Sequence, residues 1–332
     1  MIDSSEPAAL KDRALIFEVK GNSLDDGPGI RTVVFFKGCP LNCVWCHNPE
    51  SKKAQVEISF DREKCIGCGS CLAACPENAL DKAETSFIDR KRCTLCMECT
   101  RACPSGALSQ VGRYLHIDEL MAEIEKDIPF FRASAGGITL SGGEPSLYMD
   151  FSSNLLQRAK LKEIHTLVET CGFFDYRKFM EALYPFLDTI YYDIKIFDPT
   201  EHKRLCGAPN EKILENFKLL AAECSRDGKE LLPRIPLIPG ATATSENLAS
   251  IARFLKESGS ARVELLSYNP LWLSKLSLLG QSAPCGSVSS PGELTIPSGA
   301  KTPAPLISPR QYMSAARTEG SAVRRSAFDP AP

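Results

Sequence analysis

Hydrophobic positions along this chain fall into two alternating rhythms. Short runs dense in β-branched and aromatic residues at 31–37, 137–140, 165–169, 189–194, 232–238 and 262–266 read as buried strands. Between them, 117–126, 151–161, 176–184, 212–222 and 245–256 carry apolar residues three and four apart, the spacing of helices that bury one face. Strand–helix alternation predicts an α/β fold, with a parallel sheet covered by helices. Six such units predict an incomplete or full (β/α) barrel, whose active groups belong at the C-terminal ends of the strands.

Two stretches break the rhythm. Residues 61–112 are dense in cysteine and read as a compact insertion that splits the barrel into 15–60 and 113–280. Residues 281–332 are dominated by Ser, Pro, Ala and Gly, with Tyr312 and Phe328 as the only aromatics. That segment lacks the apolar density for a core and is expected to be disordered; residues 1–14 form a polar tail. A net charge of -2 gives no pull toward nucleic acid or an anionic membrane. No run approaches the ~18 apolar residues of a membrane span. The start of the chain has acidic residues and no apolar stretch of a secretory leader, so a cytoplasmic protein is expected.

Cysteine changes the picture most. Eleven of the fifteen cysteines fall in three clusters before residue 104, and only four histidines are available as partners. Multi-metal chemistry here must rest on thiolates, which select zinc, copper(I) or iron–sulfur clusters. A disulfide scaffold fits poorly, because the chain is long, is not expected to be secreted and is not cysteine-rich throughout. Within the insertion, Cys65, Cys68, Cys71 and Cys75-Pro76 set a pattern that Cys93, Cys96, Cys99 and Cys103-Pro104 repeat. This is the bacterial ferredoxin run, in which the fourth cysteine of each copy ligates the other cluster. It assigns Cys65, Cys68, Cys71 and Cys103 to one cluster, and Cys75, Cys93, Cys96 and Cys99 to another. Paired CxxC motifs also build zinc sites; two full copies with their trailing prolines favour iron–sulfur.

The first cluster differs. Cys39, Cys43 and Cys46 offer three thiolates, one short of a full set. A 4Fe–4S cluster held this way keeps one iron open, unless Cys171 serves as a distant fourth ligand. The spacing resembles the radical SAM superfamily, in which the open iron chelates S-adenosylmethionine. Electron transfer then releases methionine and a 5′-deoxyadenosyl radical, chemistry that belongs to the cofactors while the protein positions them.

Four more segments narrow the resemblance: DGPGIRT at 26–32, WCHNPE at 45–50, SGGEP at 141–145 and DIK at 193–195. In this order, over about 15–280, the chain resembles the activating enzymes of glycyl radical enzymes, in the subgroup with an inserted two-cluster domain. The resemblance implies an oxidoreductase built as a partial (β/α)6 TIM-like radical SAM barrel with an inserted ferredoxin-like α+β domain. It implies three 4Fe–4S clusters, S-adenosylmethionine, a glycyl radical enzyme as protein substrate, and flavodoxin or ferredoxin as electron donor.

Site residues follow by the same resemblance. Gly142, Gly143 and Glu144 surround the methionine amino group, and Trp45, Cys46 and His47 flank the cluster. Asp193, Ile194 and Lys195 lie at the cofactor, with Arg234 as a second positive neighbour. Asn269 stands where the family often has histidine. Glu169, Thr170 and Asp193 would hold a monovalent cation, although glutamate at 169 is longer than the family's usual residue. Asp26 would receive the substrate glycine loop. Read from the residues alone, the glycines also fit a tight turn, His47 a structural histidine, and Asp193 a surface carboxylate. Two other functions share many of these features: a radical SAM enzyme acting on a small molecule or another peptide, and a ferredoxin-type electron carrier. The three-cysteine loop and the Gly-Gly-Glu segment stand against the carrier.

Overall fold

A computed structural model describes residues 11–82, 86–282 and 322–325. In chain order its elements are β1 (Arg13–Ser23), β2 (Arg31–Phe36), β3 (Glu57–Phe60), α1 (Ser70–Ala74), α2 (Glu98–Arg101), β4 (Leu108–Val111) and β5 (Arg113–His116). There follow α3 (Ile117–Ile124), α4 (Ile128–Ser134), β6 (Gly137–Gly142), α5 (Met149–Leu161), β7 (His165–Thr170), α6 (Tyr176–Ala182) and β8 (Thr189–Asp193). The chain continues with α7 (Pro199–Cys206), α8 (Glu211–Asp227), β9 (Glu230–Pro236), α9 (Ser245–Glu257), β10 (Arg262–Leu266), α10 (Trp272–Leu278) and β11 (Ala322–Arg325).

The main sheet runs β11-β10-β9-β8-β7-β6-β2-β1-β5. Its centre is the six expected strands, all parallel: β2, β6, β7, β8, β9 and β10. Two strands absent from the sequence reading, β1 and β5, extend the row antiparallel at one edge. Among the described residues the row does not close, so the partial form of the barrel is the one observed. The pleat gives each central strand two faces. Outward residues such as Leu140, Val168, Ile190, Tyr192 and Ile235 enter the main core. That core includes the buried positions of α9, Leu248, Ile251, Phe254 and Leu255, at helical spacing. The inward face has only a small apolar cluster of Leu167, Tyr191 and Leu232. Beyond it, toward the C-terminal strand ends, polar residues take over.

An antiparallel ribbon of β3 and β4 brackets the cysteine-rich segment. Its own core includes Ile58, Phe60, Phe87, Ile88, Met97 and Leu108, with the Phe60 and Phe87 rings stacked at 4.0 Å. Among the described residues no helix is long and apolar enough to cross a membrane. Much of the tail expected to be disordered lies outside the described residues, as do residues 1–10. Ala322–Arg325 departs from the expectation by pairing parallel with β10. The physical reason is that strand pairing uses backbone groups, which an uncovered sheet edge offers to any extended segment.

Candidate functional site

The loop after β2 carries Cys39, Cys43 and Cys46 across the C-terminal ends of the strands. Several backbone bonds fix its path. Gly143 N–H donates to Phe36 O at 2.8 Å, and Glu144 N–H donates to Gly38 O at 2.8 Å. Asn42 N–H and Val44 N–H donate to the carbonyls of Cys206 and Leu205, at 2.8 and 3.0 Å, tying the loop to the end of α7. Sequence reasoning expected Gly142 and Gly143 to admit a ligand. The structure shows that they admit the chain itself: a Cβ on Gly143 would lie 1.9 Å from Gly38 O, and Gly142 holds φ at +101°.

Five thiols converge here, not three. Cys171, at the end of β7, contacts Cys39, and Cys206 contacts Cys43. Of these two, the sequence offers Cys171 only as a distant fourth ligand, and the spacing motif gives Cys206 no role. Hydrogen bonding from Cys206 draws the Cys43 thiol down to about 7, against the effect of its burial. Burial, with Cys43 adjacent, pushes Cys46 up to about 12. Buried thiols that disfavour one another's ionisation call for a positive partner. An iron–sulfur cluster supplies one, and the donor set fits it. Lys195 adds positive charge: although burial opposes it, Asp193 and the nearby thiols hold its pKa above the ordinary value.

Around the thiols the expected residues take distinct positions. Trp45 is buried in the main core. His47 sits beside Tyr268, with ring centroids 6.4 Å apart. Its Nε2 and Glu50 Oε2 are the buried side-chain polar atoms without a partner among the described residues. An orphaned buried nitrogen suits a polar ligand such as an adenine. Lys275 of α10 closes over this corner, donating to His47 O at 3.2 Å and Asn48 Oδ1 at 3.1 Å. Ile194 is buried in the core, and its N–H donates to Arg234 O at 2.9 Å.

Two expected cofactor contacts are otherwise engaged. Glu144 is fully buried, and its carboxylate accepts from Thr170 Oγ1 at 2.9 Å, Cys171 N–H at 2.8 Å and Ser146 N–H at 3.2 Å. It therefore clamps the Gly-Gly-Glu loop to β7. Asn269 is exposed, and its Oδ1 accepts from Leu271 N–H at 3.0 Å, forming the turn before α10.

Parallel register explains the acidic group. Glu169 pairs with Tyr191, and Asp193 pairs with Arg234, so all four lie on the inward face. The Arg234 guanidinium bridges the acids, with Nη1 2.5 Å from Glu169 Oε1 and Nε 3.1 Å from Asp193 Oδ1. Glu169 Oε2 accepts from Ser141 Oγ at 2.6 Å, and Lys195 Nζ lies 3.3 Å from Asp193 Oδ2. Burial works against the Asp193 carboxylate, but Lys195 and Arg234 outweigh it and hold its pKa down. Thr170 turns away to Glu144. The expected trio of Glu169, Thr170 and Asp193 thus does not form a cation cage, because a guanidinium stands between the acids.

Asp26 is half-buried in a partly exposed loop near Glu169. Its carbonyl accepts from Thr139 Oγ1 at 2.7 Å, and Ser23 Oγ donates to its carboxylate. The loop is held by Arg31, whose guanidinium reaches Pro28 O at 3.1 Å and Thr139 Oγ1 at 2.6 Å. Burial lowers the Arg31 pKa to about 10. Sequence reasoning gave Arg31 no role; the arginine inside a Gly-Pro-Gly-rich segment was the available signal.

In the insertion, Cys65, Cys68, Cys71 and Cys103 line one cavity. Cys75, Cys93, Cys96 and Cys99 line a second. The structure therefore brings the eight cysteines together in the crossed sets that the repeat predicts.

Comparison with known proteins agrees with this geometry. Residues 90–255 match the Radical SAM superfamily, 64–107 a 4Fe-4S dicluster domain, and 25–75 a 4Fe-4S single cluster domain. The isethionate sulfite-lyase activating enzyme of Desulfovibrio desulfuricans is 40% identical, over 84% of this chain and 90% of its own. The indoleacetate decarboxylase activating enzyme of Tractidigestivibacter scatoligenes is 38% identical, over 85% and 92%. The trans-4-hydroxy-L-proline dehydratase activating enzyme of Clostridioides difficile is 42% identical, over 77% and 84%.

Proposed function

This chain belongs to the glycyl radical enzyme activating enzymes of the radical SAM superfamily, which generate a glycyl radical on a partner enzyme, and we propose that it does so with three 4Fe–4S clusters and S-adenosylmethionine. The observation that carries the reading is the convergence of Cys39, Cys46 and the buried Cys43 at the C-terminal strand ends, beside Lys195 and the orphaned His47 Nε2. When bound there, a cluster with one open iron would cleave S-adenosylmethionine reductively, and the resulting 5′-deoxyadenosyl radical would take a hydrogen from a glycine Cα of the partner.

The chain's own residues have distinct tasks in this reading. The three cysteines hold the cluster, and Glu144 fixes the Gly-Gly-Glu loop whose backbone faces the methionine end. His47, with Tyr268 nearby, offers a polar and aromatic surface to the adenine. Lys195 supports the carboxylate of the cofactor. Arg31 holds the loop of Asp26, where the glycine segment of the partner would enter. Cys65, Cys68, Cys71 and Cys103, and Cys75, Cys93, Cys96 and Cys99, hold the two insertion clusters. Their exposed rim suits electron delivery by a reduced flavodoxin or ferredoxin.

The test is reconstitution without oxygen, followed by addition of reductant and S-adenosylmethionine. We expect 5′-deoxyadenosine, and a glycyl EPR doublet once the partner enzyme is added. Cofactor cleavage with no radical on any glycyl radical enzyme encoded beside this gene would overturn the reading.

A further inference from the structure

We propose that the Arg234 guanidinium is the resident cation of the Glu169–Asp193 pair, so that this chain binds and cleaves S-adenosylmethionine without a monovalent metal ion. The resemblance drawn from the sequence places such an ion among Glu169, Thr170 and Asp193. The residues present do not fit one.

The reason lies first in geometry. Arg234 is 7% exposed and reaches both acids from one planar group, which also stacks 5.1 Å from the Tyr191 ring centre. Its Nη2 and Nε both lie 3.1 Å from Asp193 Oδ1, while Nη1 takes Glu169. An arginine fork suits two carboxylates in this way, whereas a small ion would have to draw them closer together. Glutamate at 169 supplies the extra methylene that carries its carboxylate to the guanidinium.

The remaining donors are committed as well. The second oxygen of Glu169 holds Ser141, and that of Asp193 holds Lys195. Thr170 Oγ1 donates to Glu144 and accepts from Gly172 N–H at 3.0 Å, so its oxygen is not turned to the acids. Charge points the same way: Arg234 already stands between the two carboxylates and Lys195 beside Asp193, so an added ion would enter a buried place next to two resident cations.

The inference rests on the activase reading only for the identity of the cofactor bound alongside. The holoenzyme is exchanged into tetramethylammonium nitrate at constant ionic strength and titrated with thallium(I), followed by thallium NMR. Affinity for S-adenosylmethionine is then read from the change it makes in the cluster EPR spectrum, with potassium, sodium or tetramethylammonium present. We expect no saturable thallium site, and the same affinity in all three salts. In R234Q the freed acids should bind thallium, and potassium should improve cofactor affinity about tenfold, the scale of losing one partner around a charged site. A saturable thallium site in the unaltered enzyme, or a potassium requirement for cofactor binding, would overturn the proposal. So would a folded R234Q indifferent to both ions. If R234Q is insoluble, the unaltered enzyme still decides the question. Failure to bind S-adenosylmethionine in any salt would count against the activase reading instead, since the thallium titration needs no cofactor.

Discussion

Burial makes the Cys46 thiol resist ionisation while hydrogen bonding from Cys206 eases that of Cys43, and Lys195 nearby favours the thiolate forms that iron would need. Two neighbours of these thiols, Cys171 and Cys206, have no counterpart in the spacing motif and come from the ends of β7 and α7. Replacing Cys39, Cys43 and Cys46 together by alanine is expected to lower bound iron from about twelve to about eight per chain, the loss of one 4Fe–4S cluster. It should also abolish 5′-deoxyadenosine formation. Cys68→Ala, in the insertion, should lose iron while cofactor cleavage driven by dithionite persists. Iron analysis and product chromatography check both; full iron in the triple variant would sink the assignment. The cluster cysteines were legible in the sequence because ligand spacing is a local property. Arg234, Cys171 and Cys206 were not fully legible, because their meaning depends on which strands and helices end beside one another. Glu144 and Asn269 misled for a related reason: a side chain's partner, Thr170 or the Leu271 amide, is invisible until the turn is built.

At the scale of elements, one lysine joins the barrel to the insertion. Lys37 follows β2, is fully buried, and donates to Glu57 Oε2 of β3 at 2.7 Å and to Glu50 O at 2.6 Å. Gly112 leaves room for its stem, since a Cβ there would lie 2.6 Å from Lys37 Cδ. Lys53 adds a second cation 2.8 Å from Glu57 Oε1. Burial works against the Glu57 carboxylate, yet the hydrogen bonds from Lys37 and Lys53 prevail and hold it below its ordinary value of 4.5. Such a group stabilises the fold above its unfolded pKa and loses that contribution as pH falls through the lower folded one. Glu57→Gln would strand a buried ammonium, at a cost of about 3–5 kcal/mol. Denaturant unfolding at neutral pH should show that loss. The gap between the two proteins should narrow as the pH falls below 4.5. A gap constant with pH would mean that the ion pair does not dock the insertion. The central strands and the longer helices were legible from period alone. β1, β5 and the β3–β4 ribbon were not: β3, β4 and β5 are short, and β1 mixes exposed and buried positions without clean alternation.

At the scale of the whole molecule, the row of strands, open among the described residues, decides what can reach the site. One flank is closed by α10, where Lys275 reaches the His47 carbonyl and lies 3.0 Å from Glu50 Oε1. The inward face meanwhile carries Asp26, Glu169, Arg234, Asp193 and Lys195 along adjoining strands and loops. A closed barrel would restrict that face to small molecules, whereas an open sheet can admit a polypeptide segment of the partner. Cys43, Cys171 and Cys206 are buried beside this face, so a radical formed there should react with what is held against it rather than with solvent. The hydrogen should therefore pass directly from glycine to the cofactor fragment. This can be followed by growing the partner enzyme on glycine deuterated at Cα. The 5′-deoxyadenosine formed during activation should then carry one deuterium. The glycyl EPR doublet should collapse toward a singlet, because the hydrogen left on the radical carbon is also deuterium. Product free of deuterium, alongside a full radical signal, would mean that an intermediate hydrogen carrier stands between cofactor and glycine. The exposed Asp26 loop would then no longer be the entry point for the substrate. With direct transfer, Asp26→Ala should lower radical yield on the partner while leaving cofactor cleavage in its absence unchanged, which separates reception of the glycine from the chemistry at the thiols.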